Sequence, residues 1–208
     1  MIIISHRGYW LNAEEKNKTI AFQRSFDLNF GTETDVRDHI GQLVISHDMP
    51  IGNELTLEEC LAFAHENKPL LAINIKSDGL AIALKTAMEG YGRSNWFAFD
   101  MSIPDMRSHI TAGNPVFARL SDVEKDYVWF DQIEGIWLDS FTDEWYDKNT
   151  IQELLDKNKS VCIVSSELHG REHAHLWEML KSFKNRNEVI LCTDYPERAK
   201  DYFYGVKE

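Results

Sequence analysis

A chain of 208 residues, 43% hydrophobic and 27% charged, has the length for one domain with a sizeable core and the composition of a soluble globular protein. Its 22 basic residues against 34 acidic ones give a net charge of −12. That excludes a nucleic-acid binder working through phosphate contacts and makes a poor surface for anionic membranes. The cysteines, Cys60, Cys162 and Cys192, are odd in number and far apart, and the last two sit in apolar runs, as small buried hydrophobes do. The chain enters an apolar strand almost at once, with no basic leader before it and no run long enough to span a membrane. The expectation is a cytoplasmic protein with reduced thiols.

In chain order, short apolar runs alternate with amphipathic stretches. Strands are predicted near 2–5, 31–36, 70–75, 95–99, 115–118, 134–138, 160–164 and 188–192, and helices near 19–29, 56–66, 79–90, 103–111, 121–130, 149–158, 171–184 and 195–204. Between the second strand and the Leu43–Ile45 run, Asp38–Gln42 reads as a turn that doubles the chain back and delivers His47 over the strand ends. Thr56 with Glu59 makes a capping box, followed by an apolar stripe of Leu57, Leu61 and Ala64. Asn149 is placed to cap a helix, and Pro196 suits a first helical turn. Strict alternation of strand and helix predicts an α/β fold of parallel strands covered by helices: a compact (β/α)8 TIM barrel forming one domain over 1–208, with a doubly wound open sheet as the competing arrangement.

The polar residues sit where such folds carry chemistry, at the carboxyl ends of the predicted strands. His6 and Arg7 follow strand one, Glu33 and Asp35 close strand two, and Asn74 and Lys76 close strand three. Asp100, Arg119 and Asp139 end the next three strands, Ser165–Glu167 follow the seventh, and Thr193 and Asp194 the eighth. Loops are polar anyway, which explains the Ser and Thr residues well. It explains Glu33 and Asp35 poorly, because two residues apart on a strand they point the same way, and like charges side by side call for a cation. Two imidazoles, His6 and His47, flank this pair in sequence, the composition of a metal-assisted acid/base site.

The order His6-Arg7-Gly8, Thr19 opening a helix, Glu33-Thr34-Asp35-Val36, then His47-Asp48 resembles the glycerophosphodiester phosphodiesterase family, whose first block reads H-R-G, N-T, E-x-D-V and H-D. Asn74-Ile75-Lys76 stands where the family has E-x-K, and Thr193-Asp194-Tyr195-Pro196 is similar to its closing T-D-x-P. The resemblance implies a metal-dependent hydrolysis of a glycerophosphodiester or related small diester. In it a neighbouring substrate hydroxyl attacks phosphorus and a cyclic phosphate forms first. It implies His6 and His47 as the acid/base pair, with the order of their roles left open. Arg7 and Lys76 would bind the phosphate, and Glu33, Asp35 and Asn74 would hold Mg2+ or Ca2+. With an amide in place of the third carboxylate, a weaker metal site is expected.

The chain also departs from the pattern. Asn17-Lys18-Thr19 stands where the family has P-E-N before the helix, Val164-Ser165-Ser166 replaces a Trp-containing segment, and the usual insertion after His-Asp is missing, which leaves the mouth open and points to an altered substrate. The alternatives are a phospholipase-type or glycan-headgroup phosphodiesterase and a non-catalytic barrel for a phosphorylated ligand. The expected partner is a small phosphodiester, with no nucleic acid and no stable membrane association, on a monomer or small homo-oligomer. Structural readings remain for Lys76 (a salt bridge to Asp100) and Arg7 (a pair with Asp194). His39 is expected in a turn, His65 on a helix face, and His169, His173 and His175 on the surface. Trp10 is expected to wall the pocket, and Trp137 and Trp177 to pack in the core.

Overall fold

The computed structural model describes residues 1–63 and 68–205. Among the described residues, nine strands and seven α-helices run in the order β1 (Ile2–His6), α1 (Thr19–Asp27), β2 (Gly31–His39), β3 (Gln42–Ile45), α2 (Leu57–Ala62), β4 (Leu71–Ile75), α3 (Ala81–Gly90), β5 (Trp96–Phe99), α4 (Ile103–Ala112), β6 (Phe117–Leu120), β7 (Gly135–Leu138), α5 (Lys148–Asp156), β8 (Ser160–Val164), α6 (Ala174–Leu180), β9 (Val189–Thr193) and α7 (Pro196–Tyr204), alternating as read from the sequence except at β2–β3 and β6–β7, where no α-helix intervenes. The hydrogen-bonded order β5-β4-β2-β1-β9-β8-β7-β6, with β3 paired only to β2, is the strand order of a (β/α)8 barrel. Beyond β5, Ala98 donates its N–H to Pro115 O at 2.8 Å and pairs with Val116 in a parallel bridge, reaching the residues that lead into β6.

The chain divides into two compact units, Ser5–Val116, and Met1–Ile4 together with the chain from Phe117. The first is built on α1 to α4 and the parallel strands β2, β4 and β5; Phe22, Phe26, Ile73, Leu84, Met88, Phe97 and Phe99 are almost fully buried there. The second buries Ile136, Leu138, Ile151, Val161, Leu176, Leu180, Val189 and Leu191. Trp137 and Trp177 are core residues as expected, and all three cysteines are buried.

Four local expectations need correction. The turn after β2 is tighter than read. β2 runs on to His39, so His39 is a strand residue, and Ile40 (φ 48°) and Gly41 (φ 79°) turn directly into β3, which pairs antiparallel with β2. Positive φ at both turn residues is what matches the twist of a two-residue hairpin. The helix predicted over 121–130 does not form. Ser121 Oγ accepts the N–H groups of Val123 and Glu124 as a helix cap would, but Ser121 N–H closes back on Glu124 O in a tight turn and no α-helix follows, while the Asp122 carboxylate holds the N–H groups of Phe141 and Thr142. At α5 the cap is Asp147, not Asn149. Its carboxylate accepts Thr150 N–H at 3.0 Å, and the hydroxyl of Thr150 reaches back. Glu33 and Asp35 lie inside β2 rather than at its end, because the hairpin prolongs the strand past its parallel pairing with β4, which ends at Val36.

The Thr56/Glu59 capping box forms, and Pro196 opens α7. The stretch 64–66 of the helix predicted from 56, with Ala64 of its stripe and His65, lies outside the described residues.

Candidate active site

All seven residues singled out in the sequence belong to the unit Ser5–Val116. The site starts at the break in β1. Arg7 (φ 58°) and Gly8 (φ 81°) turn the chain sharply, and a Cβ on Gly8 would lie 2.7 Å from Ala21 Cβ, so the residue after His-Arg must be glycine for α1 to pack there. Gly8 N–H is held by Thr32 Oγ1 at 2.9 Å, and Thr32 Oγ1 also takes Ser5 Oγ–H at 2.9 Å. The buried Ser5 and Thr32 thus tie the turn to β2 and aim His6 and Arg7 along the neighbouring strand.

That neighbour presents the carboxylates. Glu33 and Asp35 are two residues apart on β2 and share a face, and both are buried. Asp35 is the Cα partner of Asn74 on β4, so the Asn74 carboxamide joins the same face. Arg7 Nε lies 2.9 Å from Asp35 Oδ2, and Lys76 Nζ lies 3.5 Å from Asp35 Oδ1 and 3.4 Å from Asp100 Oδ2. The structural reading of Lys76 therefore holds alongside its place at the site, and the pairing seen for Arg7 is with Asp35. His6 Nε2 stands 4.0 Å from Glu33 Oε2, and Arg7 N–H donates to the same oxygen at 3.2 Å. Burial, and then the charge of Asp35, push the Glu33 carboxyl up to about 7, against the pull of His6, Arg7 and Lys76.

His47 occupies a different setting. Its side chain is 47% exposed, its Nδ1 lies 2.9 Å from Asp48 Oδ1, and its carbonyl accepts from Arg37 Nε. The hydrogen bond from His47 holds the Asp48 carboxyl below its usual range, and the charges of Arg7 and Arg37 add to this. The structure thus gathers His6, Arg7 and Lys76, partly buried at the ends of β1 and β4, about the buried Glu33, Asp35 and Asn74, and leaves His47 on an open loop. Trp10 donates its indole N–H to His6 O at 3.1 Å and carries Lys16 over its ring.

Three oxygen donors, Glu33, Asp35 and Asn74, face one side, a set that suits a hard cation. Asn74 Oδ1 is buried without a hydrogen-bond partner, and a neutral acceptor lone pair left open beside two carboxylates fits a cation ligand. Among the described residues, no three His, Cys, Asp or Glu side chains are grouped to hold a metal ion.

Sequence reasoning missed one residue at this site. Asn17 donates Nδ2–H to Asp35 Oδ2 at 2.8 Å and accepts Thr34 Oγ1–H at 2.9 Å. It stands in the segment Asn17-Lys18-Thr19, which departs from the family pattern, so no motif pointed to it. In the other unit, two histidines read as surface residues are partly buried and engaged. His169 Nε2 lies 2.7 Å from Asp139 Oδ1, and His173 packs its ring 4.1 Å from that of Trp177 with Nδ1 3.9 Å from Glu167. Only His175, 86% exposed, matches that expectation. Thr193 and Asp194 both donate to Glu167 Oε1, so this part of the T-D-x-P ending holds β9 to the segment after β8.

No family model matches the chain, and no curated protein does. Solved structures do. A protein from Galdieria sulphuraria assigned as a glycerophosphodiester phosphodiesterase matches with a TM-score of 0.76 at 15% identity, over 97% of each chain. A phosphodiesterase from Oleispira antarctica, solved with the product sn-glycerol-3-phosphate, matches with a TM-score of 0.69 at 13% identity, over 97% of this chain and 96% of its own. A Ca2+-dependent phosphatidylinositol-specific phospholipase C from Streptomyces antibioticus matches with a TM-score of 0.54 at 12% identity, over 99% of this chain and 98% of its own. Barrels of other chemistry also match, so the likeness speaks for architecture. The chain has the (β/α)8 fold found in the glycerophosphodiester phosphodiesterases.

Proposed function

We propose that the protein is a phosphoric diester hydrolase that cleaves a glycerophosphodiester or related small phosphodiester to an alcohol and a phosphomonoester. The observation that carries this reading is the convergence of Arg7, Lys76 and His6, from the ends of β1 and β4, on the paired carboxylates Glu33 and Asp35 of β2. The fold is one in which a relative has been seen with sn-glycerol-3-phosphate.

Arg7 and Lys76 supply positive charge for the phosphoryl oxygens, Arg7 with the guanidinium nitrogens beyond the Nε that faces Asp35. A divalent ion, Mg2+ or Ca2+, held by Glu33, Asp35 and Asn74 Oδ1, would neutralise charge developing on the phosphorus oxygens. In the first step the substrate's neighbouring hydroxyl attacks phosphorus and gives its proton to one imidazole of the His6/His47 pair. The bond to the leaving alcohol breaks and that oxygen takes a proton from the other. Water then opens the cyclic phosphate, with the imidazoles exchanging roles.

The test is turnover of glycerophosphocholine, glycerophosphoethanolamine and bis-p-nitrophenyl phosphate with Mg2+, Ca2+ or Mn2+. Absence of any hydrolysis sinks the proposal and leaves a barrel that binds a phosphorylated ligand. A second reading, cleavage of a lipid headgroup, is favoured by Met49 and Ile51. These lie on the loop leaving His47 and are 76% and 82% exposed. A lysophospholipid cleaved in preference to glycerophosphocholine supports it.

A further inference from the structure

Asp35 is gripped unevenly. Its Oδ2 is held from two sides, by Asn17 Nδ2 at 2.8 Å and Arg7 Nε at 2.9 Å. Its Oδ1 is buried, has no hydrogen bond, and faces Lys76 Nζ at 3.5 Å. The Asn17 carboxamide is itself oriented, because Thr34 Oγ1–H donates to its oxygen and so turns the NH2 end toward Asp35. The Asn17 backbone has φ 59°, a left-handed conformation that asparagine tolerates better than most residues, and its N–H closes on Arg7 O at 2.9 Å. Arg7, at the other end of that loop, is left-handed too. Two unusual backbone positions thus bracket residues 8–16 and bring one carboxamide onto one carboxylate oxygen.

We propose that Asn17 is a positioning residue for the phosphodiester site. It locks the Asp35 carboxylate by Oδ2 so that Oδ1 alone is presented to the cation side of the site, together with Asn74 Oδ1. The inference rests on the reading of Asp35 as a cation ligand under the proposed function. Asn17 touches neither substrate nor metal. It works as the hydrogen-bonding partners of metal-binding carboxylates do, by fixing orientation at a donor that would otherwise rotate.

Asn17→Gly tests it, since glycine keeps the positive φ and removes only the carboxamide. Thr34→Val, which frees the carboxamide to turn, gives a second route should the first variant fold poorly. Crystal structures of both variants and of the wild-type protein, and calorimetric titration with MnCl2, are the two readouts. The expected result is an Asp35 carboxylate rotated from its wild-type orientation and Mn2+ affinity weakened about ten-fold in Asn17→Gly, with a smaller loss in Thr34→Val. An Asp35 carboxylate unmoved in the variants overturns the inference. So does an unchanged Mn2+ affinity where the wild type binds the ion. A wild type that takes up no divalent ion defeats the metal part of the proposed function instead, and the crystal comparison then decides the role of Asn17 by itself.

Discussion

Asp35 on β2 and Asn74 on β4 are Cα partners across a parallel pair, so a carboxylate and an amide leave the sheet side by side. The neutral partner matters. With Glu33 already on that face, a third carboxylate would bring a third negative charge into a buried space whose nearest cations, Arg7 and Lys76, both engage Asp35. The amide adds no charge to that face, and its oxygen is buried without a hydrogen bond.

Asn74→Glu should reverse that balance. Without divalent ions the variant gains a buried like charge and melts at a lower temperature than the wild type. With Mg2+ or Mn2+ it gains a charged ligand and binds the ion at least ten-fold more tightly. Thermal melts with and without EDTA, and calorimetric metal titration, check both halves. Equal melting temperatures and equal affinities would contradict this account of the face.

The pH dependence of stability follows from Glu33. Its carboxyl is raised from 4.5 to about 7 in the folded protein, so between these values the folded state holds a proton that the unfolded chain has released. Stability therefore rests on the neutral form: it is fully present below about 4.5 and falls as pH rises through about 7, by an amount on the order of 3 kcal/mol. Glu33→Gln fixes the neutral form and should flatten this part of the profile. Urea unfolding at pH 5 and pH 8 on wild type and variant, without divalent ions, measures the difference. A wild-type profile as flat as the variant's counts against the assignment.

The two histidines should be separable by kinetics. Loss of a general acid or base costs roughly 10²–10⁴-fold in rate, so His6→Ala and His47→Ala should each fall within that range in kcat on glycerophosphocholine. Asp48→Asn should cost less than His47→Ala, because it removes only the group that holds the imidazole. His47→Ala with full activity would remove His47 from the chemistry and leave His6 alone.

Gly8 should tolerate no side chain. Gly8→Ala adds a Cβ at 2.7 Å from Ala21 Cβ on a backbone at φ 81°. A destabilisation on the order of 3 kcal/mol is expected, from left-handed strain and overpacking together. Chemical denaturation checks it, and activity should fall as well, since the same turn aims His6 and Arg7.

Much of this molecule could be read before any coordinates. The strands showed because apolar runs of four to six residues are a local signal, and the pairing of Glu33 with Asp35 on one side showed because strand periodicity is a property of the backbone. The Thr56/Glu59 box and the Pro196 helix start are likewise written in neighbouring residues. Where the reading failed, a competing bond came from a side chain. In the 121–130 stretch, which forms no α-helix, the Asp122 carboxylate is engaged by Phe141 and Thr142, nineteen and twenty residues on. His169 and His173, expected on the surface, take their surroundings instead from Asp139 and Glu167, presented beyond β7 and β8.

The amino-acid order by itself determined the alternation of strand and helix, the glycine after His6-Arg7 and the chemical types at the strand ends, because each depends on residues close along the chain. Only the tertiary structure decided that Asn17 holds Asp35, that Asn74 lies beside it, and that Lys76 is shared between Asp35 and Asp100. Those relations join residues eighteen to forty-one positions apart. They depend on strand register and helix docking, which are set by packing and not by local preference.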